Sequence, residues 1–363
     1  MTVGCVRPIM SILGMVVALS SIALGATEKA PPETANSSVK EGTDRKSGPA
    51  RKDTALEKGQ AKRADSKAEK QKQNDKHTQG DQGAGSGGKS QDVDTEHLFG
   101  FTEGSDAGEK GEQEVVVDTI TRLGKRLSGP RGGHYRVLDT KLGYQFDPID
   151  RLSIELGAFG TFHQVRNILD LDDKSYGTFD GVSIEVKYQF LKGDKDQPLG
   201  LALELRPRFA RVLPIEGNGA DIFDMETVLQ LDLQLVPDKL WYGSNISFEP
   251  AAGRQRGPDA PGYRSSTFLW SNALIARVGE STYLGPEVRY LRGYNGTFLN
   301  DLESEALFVG PALHHRFTEK IWLTVAYAGQ VWGRDADPTL AGRALGLNQF
   351  ERHNVRVKFG MEF

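Results

Sequence analysis

Cysteine is almost absent. Cys5 is the only one in 363 residues, which excludes a disulfide framework and a cysteine-based zinc site. No Phe, Trp or Tyr precedes Phe99, so the first quarter of the chain has nothing from which to build a core. Long apolar runs are missing as well, except for residues 9–24 at the extreme N-terminus, and this excludes a transmembrane helix in the mature chain. Charge of one sign is also lacking. A formal net charge of -4 gives no electrostatic footprint of a nucleic-acid partner.

What stands at the N-terminus is an export address. A weakly basic start with Arg7 leads into PIMSILGMVVALSSIAL, which ends in the small residues Ala23, Gly25 and Ala26. This layout predicts a secretory signal peptide over residues 1–26, cleaved between Ala23 and Ala26. Cys5 lies before the apolar stretch and would leave with the peptide, so lipid attachment through it is not expected.

Residues 27–96 contain only Val39, Leu56 and Val93 as apolar side chains larger than alanine or proline. Such a segment cannot bury enough surface to offset its chain entropy, and it is expected to be a disordered periplasmic tether. Within it, GAGSGGKS at 83–90 satisfies the spacing of a phosphate-binding loop. That chemistry needs a buried strand before the loop and a helix after it, so that backbone N–H groups converge on phosphate. The flanks QNDKHTQGDQ and QDVDTEH supply neither, so the match is set aside.

From Glu112 onward the pattern changes to period-two alternation in runs of about ten residues, the signal of strands with one apolar and one polar face. Twelve such runs are recognisable. The clearest sets Phe223, Met225, Thr227, Leu229, Leu231, Leu233 and Leu235 against Asp224, Glu226, Val228, Gln230, Asp232 and Gln234. Connections alternate in length. DPID, LKGDKDQP, VPDK, GES and TEK are short, whereas HQVRNILDLDDKSYGT, RVLPIEGNGAD, PAAGRQRGPDAPGYR, RGYNGTFLND and GRDADPTLAGRALGLNQ are long. Greek-key sandwiches do not sort their loops in this way, but up-and-down membrane barrels do. Aromatic residues gather near strand ends, with Tyr144, Phe146, Tyr188, Phe190, Tyr242, Phe317 and Trp322 towards the short turns. Phe162, Phe209, Phe223, Phe248, Phe268, Tyr290 and Trp332 form the corresponding set towards the loops, as two interface girdles require.

The final strand, HNVRVKFGMEF, places Val357, Phe359, Met361 and the terminal Phe363 at alternate positions. It resembles the C-terminal assembly signal of Gram-negative outer-membrane β-barrel proteins, and the likeness extends over 112–363. The stretch EHLFGFTEGSDAGEKGE resembles the lead-in of uncharacterised porin-like proteins. The resemblance implies a twelve-stranded antiparallel barrel over 97–363, partnered by outer-membrane lipid and the barrel assembly machinery, in the outer membrane with the tether in the periplasm.

With the apolar stripe on lipid, the inward set is Glu155, Glu185, Lys187, Glu204, Arg206, Arg208, Asp224, Glu226, Asp232, Glu287, Arg289, Arg316, Arg356 and Lys358. Twelve strands enclose more space than these side chains fill. The expectation is therefore a passive channel for small polar or charged solutes, without cofactor or metal. Two alternatives stay open: a plugged lumen in a structural or surface-interaction barrel, and simple cross-strand neutralisation, for instance of Arg206 by Glu226. A lipid-modifying enzyme would need a serine, a histidine and an orienting polar group together. His314 and His315 are adjacent and so face opposite sides of a strand, while His134, His163 and His353 fall at strand ends or in loops, as surface histidines do.

Overall fold

In the computed structural model, each alternating run forms a strand hydrogen-bonded to its neighbours in sequence, and the first strand pairs with the last to close an antiparallel barrel. The structure describes residues 94–125, 133–193, 197–337 and 344–363. The expected signal peptide, nearly all of the tether and the 83–90 motif lie outside them. The strands are β1 (Gln113–Leu123), β2 (His134–Ile149), β3 (Leu152–Arg166), β4 (Lys174–Leu191), β5 (Leu199–Val212), β6 (Gly219–Val236), β7 (Leu240–Gln255), β8 (Gly262–Arg277), β9 (Thr282–Tyr294), β10 (Leu302–Arg316), β11 (Ile321–Asp335) and β12 (His353–Glu362). The seam between β1 and β12 runs without a break from Glu114↔Glu362 to Leu123↔His353. No sheet edge is left to pair with another chain.

The barrel is apolar outside, and strands such as β6 turn polar side chains inward. On β6, Phe223, Leu229 and Leu235 are exposed, while Asp224, Gln230 and Asp232 are buried in the interior. Ile184, Leu205, Ile246, Leu274 and Leu313 carry the same exposed stripe around the circumference. A continuous apolar girdle of this kind far exceeds the patches a water-soluble monomer tolerates, and it matches a hydrocarbon surround. Tyr144, Tyr188, Phe190 and Phe317 are exposed near the short turns, and Phe162, Phe209, Phe223 and Trp332 near the loops. Trp322 departs from the expected girdle and is buried inside. Its register explains the departure, since it shares the inward parity of Thr324, Ala326 and Ala328.

Both ends of the barrel segment lie on the short-turn side, where the Phe363 N–H donates to Gln113 O at 2.9 Å. The strands outrun the alternation signal on the opposite side. The connection expected over 250–264 shrinks to 256–261 because the ladder continues through Ala252↔Arg264 and Arg254↔Gly262. Backbone pairing persists beyond the lipid-facing band, where no apolar face is demanded and alternation therefore fades. Ahead of β1, residues 94–112 form no strand. They enter the lumen from the short-turn side, with Thr95 and Glu96, assigned by sequence to the tether, already buried.

Candidate functional site

The lumen has two unlike halves. On β7–β11 the inward positions are dominated by small or apolar side chains, among them Ala273, Ala306, Ala312, Ala326 and Ala328 with Trp241, Tyr283 and Phe308. Leu98, Phe99 and Phe101 of the N-terminal segment pack into this half and are nearly inaccessible to solvent. The fit demands glycine on both sides. A Cβ at Gly100 would lie 2.3 Å from Ala326 Cβ, and one at Gly243 would lie 2.8 Å from Phe99 Cζ. Buried carboxylates of the wall then capture the segment's backbone. Glu287 accepts N–H bonds from Gly100 (2.9 Å), Phe101 (2.8 Å) and Thr102 (3.3 Å), and Asp232 accepts from Ser105 N at 2.7 Å and Thr95 Oγ1 at 3.1 Å. Charged acceptors of this sort make the stronger class of hydrogen bond and remove the penalty of burying a carboxylate. Glu287 and Asp232, both in the inward set, thus hold protein rather than solute.

The other half, on β1–β5 and β12, is ionic. Glu103 of the segment sits between Arg206 and Arg356, the latter at 3.3 Å. Arg206 also faces Glu204 (2.7 Å), Glu226 (3.1 Å) and Glu185 (3.5 Å), and Arg356 faces Asp118 at 2.6 Å. Lys187 meets Glu96 at 2.7 Å, and Lys141 bridges Glu155 (2.6 Å) and Glu185 (3.0 Å). Burial by itself would push the Glu103 carboxyl up, but the Arg206 and Arg356 guanidinium groups outweigh it and hold the pKa well below the usual carboxylate range. His97 stacks on Trp322 at a centroid distance of 4.1 Å, with its Nε2 2.8 Å from Glu114, which also accepts from Trp322 Nε1. Burial, reinforced by Lys358 and Lys187 against the opposing effect of Glu96, lowers the His97 pKa to about 3 and keeps the ring neutral.

Other residues picked from sequence take varied places. Arg208 turns to Asp180 and stacks over Phe159 at 4.3 Å, and Arg289 lies over Phe101 at 4.3 Å. Arg316 sits at the short-turn mouth, donating to Glu319 O at 3.1 Å. Lys358 is buried beside Arg356 on the lumen side of β12. Val357, Phe359 and Met361 occupy the opposite parity of that strand, and Phe363 is exposed at its end. The histidines are separately engaged, His314 with Thr324, His315 with Thr282, His353 with Tyr327 and His134 with Gln164. His163 is not a surface residue. It is buried beneath Gly217 of the folded-over β5–β6 loop, against Tyr176. Sequence reasoning missed Glu96, His97 and Glu103 altogether, since a segment without periodicity gives no facing. It also passed over Asp118, Lys141 and Glu249, whose inward parity was available.

Among the described residues, four cavities that share lining residues succeed one another from the short-turn end to the loop end. The first, about 570 Å³ at the short-turn end, shares Glu96, His97 and Gln145 with a narrow one of about 50 Å³. The narrow cavity shares Lys141, Glu185, Arg206 and Arg356 with a third of about 200 Å³. Arg208, Asp224 and Glu249 link the third to the last, about 250 Å³ at the loop end.

A single family model matches residues 91–363, taking in the lumen segment and all twelve strands together. The chain belongs to this family of unknown function (DUF6662). The family match begins three residues before the first described residue, so the segment and the barrel form one unit of family sequence. No curated protein matches the sequence. Among solved structures the chain is similar to the COG4313 outer membrane channel from Pseudomonas putida F1, at 14% identity and a TM-score of 0.48, over 71% of this chain and 98% of that one. It is also similar to the NanC porin (13%, 0.42, 68% and 98%) and to the toluene transporter TodX of Pseudomonas putida (8%, 0.34, 74% and 96%).

Proposed function

We propose that this family member is an outer-membrane channel for small polar or charged solutes, in which residues 98–105 confine passage to the ionic half of the lumen. The observation that carries the reading is the series of cavities from the short-turn end to the loop end. Its first three members follow the charged wall while the apolar half is filled by Leu98, Phe99 and Phe101, and the last, at the loop end, has mixed polar and apolar walls. The exposed apolar girdle supports placement in a membrane, spanned by strands, and the short turns are read as the periplasmic end. In this reading the ion pairs of Glu103 with Arg206 and Arg356, which line the smallest of these cavities, form the constriction. Solute movement there is passive and needs neither cofactor nor catalytic group.

A second reading, a non-conducting structural barrel, is favoured by the complete burial of Phe99 in the lumen. Planar-bilayer recording separates the two. The channel reading expects small discrete conductance steps from the full chain, enlarged or more frequent in Glu103→Gln. A silent bilayer from folded protein overturns it.

A further inference from the structure

The β5–β6 register aligns two arginines with two carboxylates, Arg206↔Glu226 and Arg208↔Asp224. Only the first pair forms, at 3.1 Å. Arg208 is drawn away by Asp180 and by the face of Phe159. Asp224 is left 6% exposed, with no hydrogen bond or ion pair among the described residues, aimed into the space that joins the two outer cavities. Glu249, on the adjacent strand β7 between the Thr227↔Phe248 and Asp224↔Ala251 pairings, faces the same space and likewise makes no hydrogen bond or ion pair among the described residues. The other acids nearby are answered, Asp118 by Arg356 at 2.6 Å, Glu185 by Lys141 at 3.0 Å and Asp139 by Arg122 at 2.8 Å. Two carboxylates facing one space, with the neighbouring Arg206 and Arg208 engaged by other acids rather than paired to them, are costly to bury, and a cation entering between them relieves that cost.

We infer that Asp224 and Glu249 form a binding site in the outer lumen for a small organic cation, an ammonium-bearing solute with an apolar portion; its role as a station in transit rests on the channel reading above. The walls choose among cations. Ile222, Leu291, Phe350 and the ring of Tyr263 face the outermost cavity, giving an apolar body somewhere to lie and an aromatic face near the charge. A bare metal ion has no use for that surface. Among the described residues no group of three or more His, Cys, Asp or Glu side chains is arranged to hold one. Cavities of about 200 and 250 Å³ accommodate a solute of several heavy atoms without moving residues 98–105.

The test is calorimetric titration of the folded full-length chain in detergent with 1,4-diaminobutane, its neutral isostere 1,4-butanediol, and Ca²⁺. The diamine is expected to bind at least tenfold more tightly than the diol, and Asp224→Asn with Glu249→Gln to weaken the diamine by at least tenfold. Equal binding of diol and diamine, no diamine binding, an unchanged affinity in the double variant, or tighter binding of Ca²⁺ with displacement of the diamine each overturn the proposal. If the double variant does not fold, the diamine–diol comparison on the unaltered chain decides. Bilayer recordings keep the two readings apart. Silence overturns the channel but leaves a positive titration standing, whereas a conducting bilayer whose current the diamine does not reduce overturns transit through this site alone.

Discussion

Glu103 is the side chain through which the N-terminal segment touches both arginines of the constriction. Glu103→Gln keeps the shape and removes the charge. The expected cost is about 3 kcal/mol, the lower end for deleting one partner of a buried pair, because Arg206 retains Glu204 and Glu226 at 2.7 and 3.1 Å. Hydrogen exchange of 98–105 should accelerate roughly a hundredfold; unchanged protection would show that the pair does not hold the segment. Acid should loosen the same segment. The folded-state pKa of Glu103 lies below its ordinary 4.5, so its contribution is present above that value and lost as pH falls through and below it. The His97 pKa is lowered to about 3 from an ordinary 6.5, so the released ring takes up a proton first and stability declines from about pH 6.5 downward. Protection factors of 94–107, which remove the intrinsic pH dependence of exchange, should fall in two stages between pH 7.5 and 3, and His97→Phe should remove the upper one. Neither residue was legible as a site in the sequence, because a non-periodic stretch gives no parity. By contrast Arg206, Glu226 and Glu185 were legible as inward-facing from β4–β6 alternation alone, though their partners in the segment were not.

Among the elements, the twelve strands were readable because a membrane barrel forces each residue onto lipid or lumen, and a lipid-facing residue must be apolar. The lumen segment obeys no such rule. Its trace in the sequence was indirect: Ala306 and Ala312 on β10, and Ala326 and Ala328 on β11, are too small to fill the interior they face. An inward row of alanines marks room reserved for something else, here Leu98, Phe99 and Phe101. Trp322 and His163 were misplaced for a related reason, since position near a strand end does not reveal parity. The contact of Gly100 with that alanine row supplies an element-level prediction. Gly100→Val puts side-chain atoms where a Cβ alone is 2.3 Å from Ala326, and overpacking of this kind costs about 1–3 kcal/mol. The strand ladders are untouched by the change. The barrel should keep its heat-modifiable gel mobility while bilayer steps grow or open more often; loss of the folded band instead would mean that the segment is required for barrel formation.

At the scale of the whole molecule, the barrel wall and the segment divide the charge unequally. Residues 94–107 carry Asp94, Glu96, Glu103 and Asp106 and no Lys or Arg. The wall facing them supplies Lys187, Arg206 and Arg356, each in contact with one of those carboxylates or with its backbone. Removing 94–107 therefore does more than widen the passage. It strips four carboxylates from the lumen and leaves their basic partners exposed to solvent, so the field along the pathway becomes more positive. Since closure rests on β1–β12 pairing through residues 114–123 and 353–362, the shortened chain retains every strand contact. The deletion should raise unitary conductance several-fold and, in a potassium chloride gradient, move the reversal potential towards that of chloride. The two readouts are independent. A wider but equally selective pore would show that the segment obstructs without lining the path. An unchanged conductance would place the ion route outside this lumen, because no other part of the described chain occupies so much of its interior.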